Sequence, residues 1–337
     1  MAPTVLVSTT VLADFGSEID RITTRAPGGC LVVPFDPAQP PDAEASRAVD
    51  AAYYSRDVWA GTVKETLSPA AAAFWRTVEQ SPRLDWLHVF SSGSDHVHYQ
   101  PYLAGGTRLT TSSGAQGESV ATAAVTGLLA LARHFPHFWK AQQQRSWQPL
   151  RADDVPDLRG QTALIVGTGH IGGAIAGYLQ AFGLRTVGLR RTAQPTAGFD
   201  EVDSLASFDA HLAHCDWLVL ACPLNDDTRG LVDARRLTLM KPGAGVVNVA
   251  RGEVVDEVAL ADALASGALG HAYLDVFTRE PLDTASPLWS LENVIVSPHN
   301  AGASSGTYAR GVGIFLRNLE NYLTGGQLEN LAARPTG

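Results

Sequence analysis

Short apolar runs alternate along the whole chain with stretches in which apolar residues recur three and four positions apart. The run Thr4–Ser8 predicts a strand, the pattern over 12–22 a helix, and Leu31–Phe35 a second strand. Beyond a proline-rich loop at 37–41, a helical stretch leads to the strand AAYYS at 51–55, and a helix over 74–79 precedes the strand WLHVF at 86–90. One long helix is predicted over 118–144, its apolar face made by Val120, Ala123, Ala124, Leu128, Leu131 and Ala132. The alternation then restarts with strands at 163–167, 186–189, 217–221, 245–249, 272–276 and 294–297, and a last helix covers 306–323.

Apolar strands separated by helices predict parallel sheets covered on both faces, hence an α/β protein whose second half is a doubly wound (Rossmann) unit. A length of 337 residues is enough for two cores. The expected division is a smaller α/β substrate domain, discontinuous in sequence, at 1–104 and 297–337, completed by the last helix, with a dinucleotide domain at 105–296. With 45% hydrophobic and 18% charged residues the composition is that of a globular protein, and a net charge of −9 disfavours nucleic acid or an anionic membrane as partner. Cys30, Cys215 and Cys222 are too few and scattered for a disulfide framework or a CxxC metal site, so all three are expected to be reduced core thiols, and no metal is expected. The N-terminus lacks a positively charged leader and no run reaches the roughly 20 apolar residues of a membrane span, so a cytoplasmic location is expected.

The segment VGTGHIGGAIAGYLQAFG sets Gly167, Gly169 and Gly172 in a GxGxxG pattern between a predicted strand and a predicted helix. In that context the first glycine permits the tight turn, the second lets the backbone approach a pyrophosphate and the third allows close helix packing. An acid would be expected some 20 residues on, to bind an adenosine ribose. Here that place reads GLRRT, with Arg190, Arg191 and Thr192 where the acid would stand. Guanidinium groups pair with a 2′-phosphate that an acid would repel, which favours NADP(H); a solvated basic loop tolerant of either cofactor is the alternative.

Three further segments end predicted strands in the same half: NVARGEVVDE (248–257), LDVFTREPL (274–282) and SPHNAG (297–302). Reduction of a 2-keto acid needs a cation for the carboxylate, a proton donor for the carbonyl oxygen and a hydride donor, and arginine, histidine and a nicotinamide meet those needs. With these motifs nearly the whole chain resembles the D-isomer-specific 2-hydroxyacid dehydrogenase family, and within it the glyoxylate and hydroxypyruvate reductase branch. The resemblance implies that Arg251 binds substrate carboxylate and carbonyl, that His299 is the acid/base, that Glu280 orients it and that Asp275 contacts the nicotinamide end. It extends the cofactor site to His170, Ile171, Cys222, Pro223, Thr228, Val249 and Ala250, and it implies a flavodoxin-like substrate domain, a small 2-keto acid as substrate, a D-2-hydroxy acid as product and a homodimer.

In the N-terminal half, FSSGSDHV at 90–97 matches the family's glycine-containing loop, in which Gly93 and Ser94 would hold the substrate carboxylate through backbone amides. An ordinary strand-to-helix turn is the other reading. Tyr54, with Tyr53, Ser55 and Arg56, is expected near the substrate side chain, although such aromatics are more often core. Trp147 would either reach a neighbouring subunit or pack within its own chain. Ala121-Thr122 replaces the family's common Ala-Glu, Glu280 stands where formate dehydrogenases have Gln, and the 90–97 loop lacks the Lys of phosphite dehydrogenases. A hydrolase or lyase on the same fold, or a dinucleotide-sensing corepressor-like protein with little turnover, are the competing functions.

Overall fold

Twelve strands, all paired in parallel, form two separate sheets in the computed structural model, which describes residues 2–60, 62 and 66–333. The chain divides into two compact units, 1–116 with 304–337, and 117–303.

In the first unit β1 (Thr4–Ser8), β2 (Leu31–Phe35), β3 (Ala51–Tyr54), β4 (Trp86–Val89) and β5 (Arg108–Thr111) lie in the order β2-β1-β3-β4-β5, the flavodoxin-like arrangement. Two of the crossovers contain long helices with one apolar face. The helix Thr9–Arg25 starts where the Ser8 hydroxyl accepts the Val11 N–H, and it buries Val11, Ile19 and Ile22. The helix Pro69–Glu79 covers the opposite face with Phe74, Trp75 and Val78. The distant segment Thr307–Thr324 is a helix of this unit: Val312, Phe315 and Leu319 pack on Val5, Val7, Tyr53 and Trp86, and the Phe315 ring stacks on Tyr53 at 4.3 Å. That packing makes the unit discontinuous in sequence.

In the second unit β6 (Thr162–Val166), β7 (Arg185–Arg190), β8 (Glu201–Ser204), β9 (Trp217–Leu220), β10 (Gly245–Asn248), β11 (His271–Leu274) and β12 (Val294–Val296) take the order β12-β11-β10-β9-β6-β7-β8. The order reverses between β6 and β9, so the carboxyl ends of these two strands flank the crevice where doubly wound sheets bind ligands. Each sheet face has its own apolar layer, one around Leu164, Leu218, Val246 and Leu274, the other around Ile165, Val219, Val247 and Tyr273. No helix among the described residues is long and apolar enough to cross a membrane.

Several details differ from the sequence expectation. The unit boundaries fall at 116/117 and 303/304, not 104/105 and 296/297, because β5 pairs with β4 and because residues 299–301 bond to Asp275 of the second unit. The long helix is two, Gly117–Ala132 and Phe135–Gln143, broken where His134 takes a left-handed φ of 55°. Pro136 cannot continue a helix but suits the first turn of a new one. Cys215 and Cys222 are buried thiols, whereas Cys30 is partly buried at the edge of the first unit's core, against which it packs.

Candidate active site

The carboxyl end of β6 turns sharply into the helix His170–Ala181. Gly167 has φ 103°, and a Cβ there would lie 2.6 Å from the Ala221 carbonyl oxygen after β9; a Cβ on Gly172 would lie 1.9 Å from the Gly167 oxygen. Both positions therefore exclude any side chain. Gly169 differs: its Cβ would meet nothing within 4 Å, so the backbone is open to a close-approaching group at the helix N-terminus, where amide donors and the helix dipole favour a pyrophosphate. These residues fit a dinucleotide. His170 and Ile171 open the helix itself.

The neighbouring loops complete that rim. The Gly167 N–H donates to Leu189 O at 2.8 Å, which sets Arg190, the last residue of β7, next after a residue touching the turn. Arg190 Nη1 donates to Thr196 Oγ1 at 3.2 Å; Arg191 is exposed and ion-paired with Asp227 at 3.3 Å; Thr192 is exposed. After β9, buried Cys222 leads to Pro223, whose carbonyl accepts the Thr228 hydroxyl at 2.7 Å, closing a small loop. At the end of β10, Val249 and Ala250 are buried, and Asn248 braces the turn by accepting the Ala250 N–H and donating to the Arg251 carbonyl. The Arg251 guanidinium donates back to Ala250 O at 2.8 Å.

Nineteen residues apart, Glu280 and His299 meet: the Glu280 Oε2 lies 2.8 Å from His299 Nδ1, while its other oxygen accepts the Phe277 N–H at 3.0 Å. A carboxylate can only accept, so the Nδ1 of that bond carries hydrogen and Nε2 is the outward nitrogen. His299 has a left-handed φ of 50°, which is held by its N–H donating to Asp275 O at 2.8 Å. The buried Asp275 carboxylate does the rest: it accepts from Ser297 Oγ (2.5 Å), Asn300 N (2.8 Å) and Ala301 N (3.1 Å). The sequence reading cast Asp275 as a nicotinamide contact and missed this bracing role, as it missed Asn248 and Ser297. The available signal was a polar residue ending each of two otherwise apolar strands.

Of the remaining candidates, Gly93, Ser94 and Tyr54 belong to the first unit and Trp147 to the second. Gly93 and Ser94 lie in the loop after β4, with the Gly93 carbonyl accepting from Ser91 Oγ at 2.8 Å and the Ser94 carbonyl from Gln100 Nε2 at 3.0 Å. Tyr54, expected beside the substrate, is 2% exposed and packs its ring on Trp75 and Phe74 at 4.8 and 5.1 Å. It is a core residue, because the end of β3 faces the helix Pro69–Glu79. Trp147 is 95% exposed and does not pack within its own chain. Near β8, Glu201, Asp203 and His211 bring potential metal-ligating atoms within 4.8 Å of one another, though Glu201 is paired with Arg185 and Asp203 with His211.

Known proteins resemble this chain in sequence and fold. Residues 125–301 match the family described as D-isomer specific 2-hydroxyacid dehydrogenase, NAD binding domain. A glyoxylate reductase of Thermococcus gammatolerans is 34% identical over 255 residues, 73% of this chain and 75% of that protein. The glyoxylate reductase of Aeropyrum pernix is 33% identical over 264 residues, 76% and 78% of the two chains. Among solved structures, an NADPH-dependent glyoxylate/hydroxypyruvate reductase from Sinorhizobium meliloti, in complex with NADP and sulfate, superposes with a TM-score of 0.74 at 25% identity over 99% of both chains. A D-isomer specific 2-hydroxyacid dehydrogenase from Xanthobacter autotrophicus, in complex with NADPH and MES, gives 0.76 at 25% identity, covering 99% of this chain and 98% of that one. With the glycine turn, the strand order and more than half of its length matching, the chain belongs to the D-isomer-specific 2-hydroxyacid dehydrogenases, oxidoreductases that use a nicotinamide dinucleotide, and within them to the glyoxylate reductase-like branch.

Proposed function

We propose that this protein reduces a small 2-keto acid of the glyoxylate or hydroxypyruvate type to the D-2-hydroxy acid, with NADPH preferred over NADH. The observation that carries the reading is the 2.8 Å pair of Glu280 and His299 in the unit that bears the glycine turn. The glycine turn at Gly167, Gly169 and Gly172 would hold a nicotinamide dinucleotide, which when bound would supply the hydride for the carbonyl carbon. His299, with Nδ1 held by Glu280, donates a proton from Nε2 to the carbonyl oxygen as charge develops there, and retrieves it from the hydroxyl in the reverse direction. Glu280 fixes the ring's orientation and tautomer by accepting the Nδ1 hydrogen. Arg251 binds the substrate carboxylate and polarises the carbonyl. The loop bearing Gly93 and Ser94 is, by the family resemblance, an element whose backbone amides bind a carboxylate.

Arg190 and Arg191 in the place of an acid support the preference for a 2′-phosphate. Asp275 remains a candidate nicotinamide contact in addition to its bracing role. A homodimer is proposed through the surface bearing Trp147, supported by its exposure and that of Phe135, Phe138 and Trp139.

The test follows nicotinamide absorbance with NADPH and NADH against glyoxylate, hydroxypyruvate, pyruvate and phenylpyruvate. Faster oxidation of NADPH, with kcat reduced by about 10²- to 10⁴-fold in His299→Ala, is the expected result. Binding of NADPH with no turnover of any acid would overturn the reductase reading in favour of a dinucleotide sensor.

A further inference from the structure

Tyr273, in β11, is buried on the sheet face covered by the helix Gly117–Ala132. A Cβ on Gly127 of that helix would lie 2.3 Å from the Tyr273 ring, so the ring occupies the space that a side chain at 127 would need. Seated there, the tyrosine brings its hydroxyl to the end of β12, 2.9 Å from Ser297 Oγ. Ser297 Oγ has one hydrogen and gives it to the Asp275 carboxylate at 2.5 Å, so the Tyr273 hydroxyl is the donor to Ser297. Burial raises the Tyr273 phenol pKa, which keeps that hydrogen in place. A hydroxyl that accepts one hydrogen bond donates its own more strongly. Asp275 in turn holds both flanks of the histidine turn: its carbonyl accepts the His299 N–H at 2.8 Å, and its carboxylate accepts the Asn300 N–H at 2.8 Å and the Ala301 N–H at 3.1 Å. His299 has a φ of 50°, which a residue with a side chain rarely adopts unaided, so its place depends on these bonds.

We propose that Tyr273, seated on Gly127, is a positioning residue that acts through Ser297 and Asp275 to fix the backbone carrying His299. The line runs from the helix Gly117–Ala132 to the proton donor within one unit, and it rests on the reading of His299 as the acid/base. None of its three bonds, Tyr273 to Ser297, Ser297 to Asp275 and His299 to Asp275, ends on Arg251 or on the glycine turn. Breaking it slows proton transfer while leaving carboxylate and dinucleotide binding intact.

The test uses the full chain and compares wild type with Tyr273→Phe, Ser297→Ala and Gly127→Ala. Tyr273→Phe removes one oxygen and keeps the ring, whereas Gly127→Ala keeps every polar group and pushes the ring off its seat. Each is expected to lower kcat for glyoxylate by about tenfold, with KM and NADPH affinity close to wild type. The His299 ring gives a second readout that a merely structural role does not move: ring-nitrogen NMR shifts at about pH 9, where an ordinary imidazole is neutral, assigned with His299→Gln. Wild type is expected to carry its hydrogen on Nδ1, and the variants to show a mixture of both tautomers as the contact with Glu280 loosens. Tyr273→Phe carries the comparison if either of the other variants does not fold. Unmoved ring shifts in folded Tyr273→Phe would overturn the proposal whatever happens to Tm, and so would a wild-type kcat. Should wild type turn over no keto acid, the reductase reading fails, but the ring shifts still decide the role of Tyr273 in the same two directions.

Discussion

His88 stands on β4, three residues before Ser91, and is completely buried. Its Nδ1 lies 2.7 Å from Thr110 Oγ1 and its Nε2 lies 3.1 Å from Ser112 Oγ. Thr110 Oγ1 also accepts the Trp86 indole N–H at 2.8 Å, and a neutral imidazole satisfies both hydroxyls by donating from one ring nitrogen and accepting at the other. Burial lowers the imidazole pKa from 6.5 to about 3. The folded protein thus keeps His88 neutral where the unfolded chain takes up a proton. The stability this neutral ring carries is complete above pH 6.5 and is lost progressively as pH falls from 6.5 towards 3. Between pH 7 and pH 4.5 the loss from this one residue is about 2.5 kcal/mol, a sizeable fraction of the stability of an ordinary domain. Urea unfolding of wild type and His88→Gln at both pH values, read by hydrogen exchange of peptides covering β4 and β5, reports the first unit by itself. Other titrating groups act alike in both proteins, so the difference between the two pH losses isolates His88. The wild type is expected to lose about 2.5 kcal/mol more than the variant. Equal losses, to within about 0.5 kcal/mol, would refute the assignment of a neutral buried imidazole.

Two substitutions examine the second unit. Asp275→Asn keeps one oxygen for Ser297 and Asn300 but sets an amide NH₂ against the Ala301 N–H, 3.1 Å from the other oxygen. A cost of about 1–3 kcal/mol and at least a tenfold fall in kcat, through displacement of His299, are expected; activity within twofold of wild type would show that the carboxylate does not set the histidine's place. Gly172→Ala and Gly169→Ala form a contrasting pair. The first forces backbone apart at the glycine turn and is expected to lower the Tm of the second unit by several degrees, whereas the second is expected to leave Tm unchanged and weaken NADPH binding by about tenfold or more, measured by nucleotide fluorescence. Equal Tm losses in both would argue against the assigned geometry of the turn.

The amino-acid pattern alone determined the elements that carry their own signal. Apolar runs such as TVLVS and TALIV are strands because they are buried on both faces, and the glycine turn was legible because a strand, three spaced glycines and a helix lie consecutively. The short strands β5 (RLTT) and β8 (EVDS) carried no such run, since each is a polar edge strand that exists because a neighbour offers a ladder to join. The break at His134 was written in Pro136 but hidden by the apolar spacing on either side. Motif resemblance named Glu280 and His299, yet their 2.8 Å contact depends on β11 carrying Asp275 to the place where residues 297–301 cross it. The same holds for Tyr54, whose burial follows from the helix packed over β3, and for Ser91 and Gln100, whose bonds to the loop carbonyls form only after the chain has turned back on itself. Local sequence sets periodicity and turn chemistry because those act between residues a few positions apart. Which polar group braces which loop is decided by strand order and packing, which bring distant residues within hydrogen-bond reach.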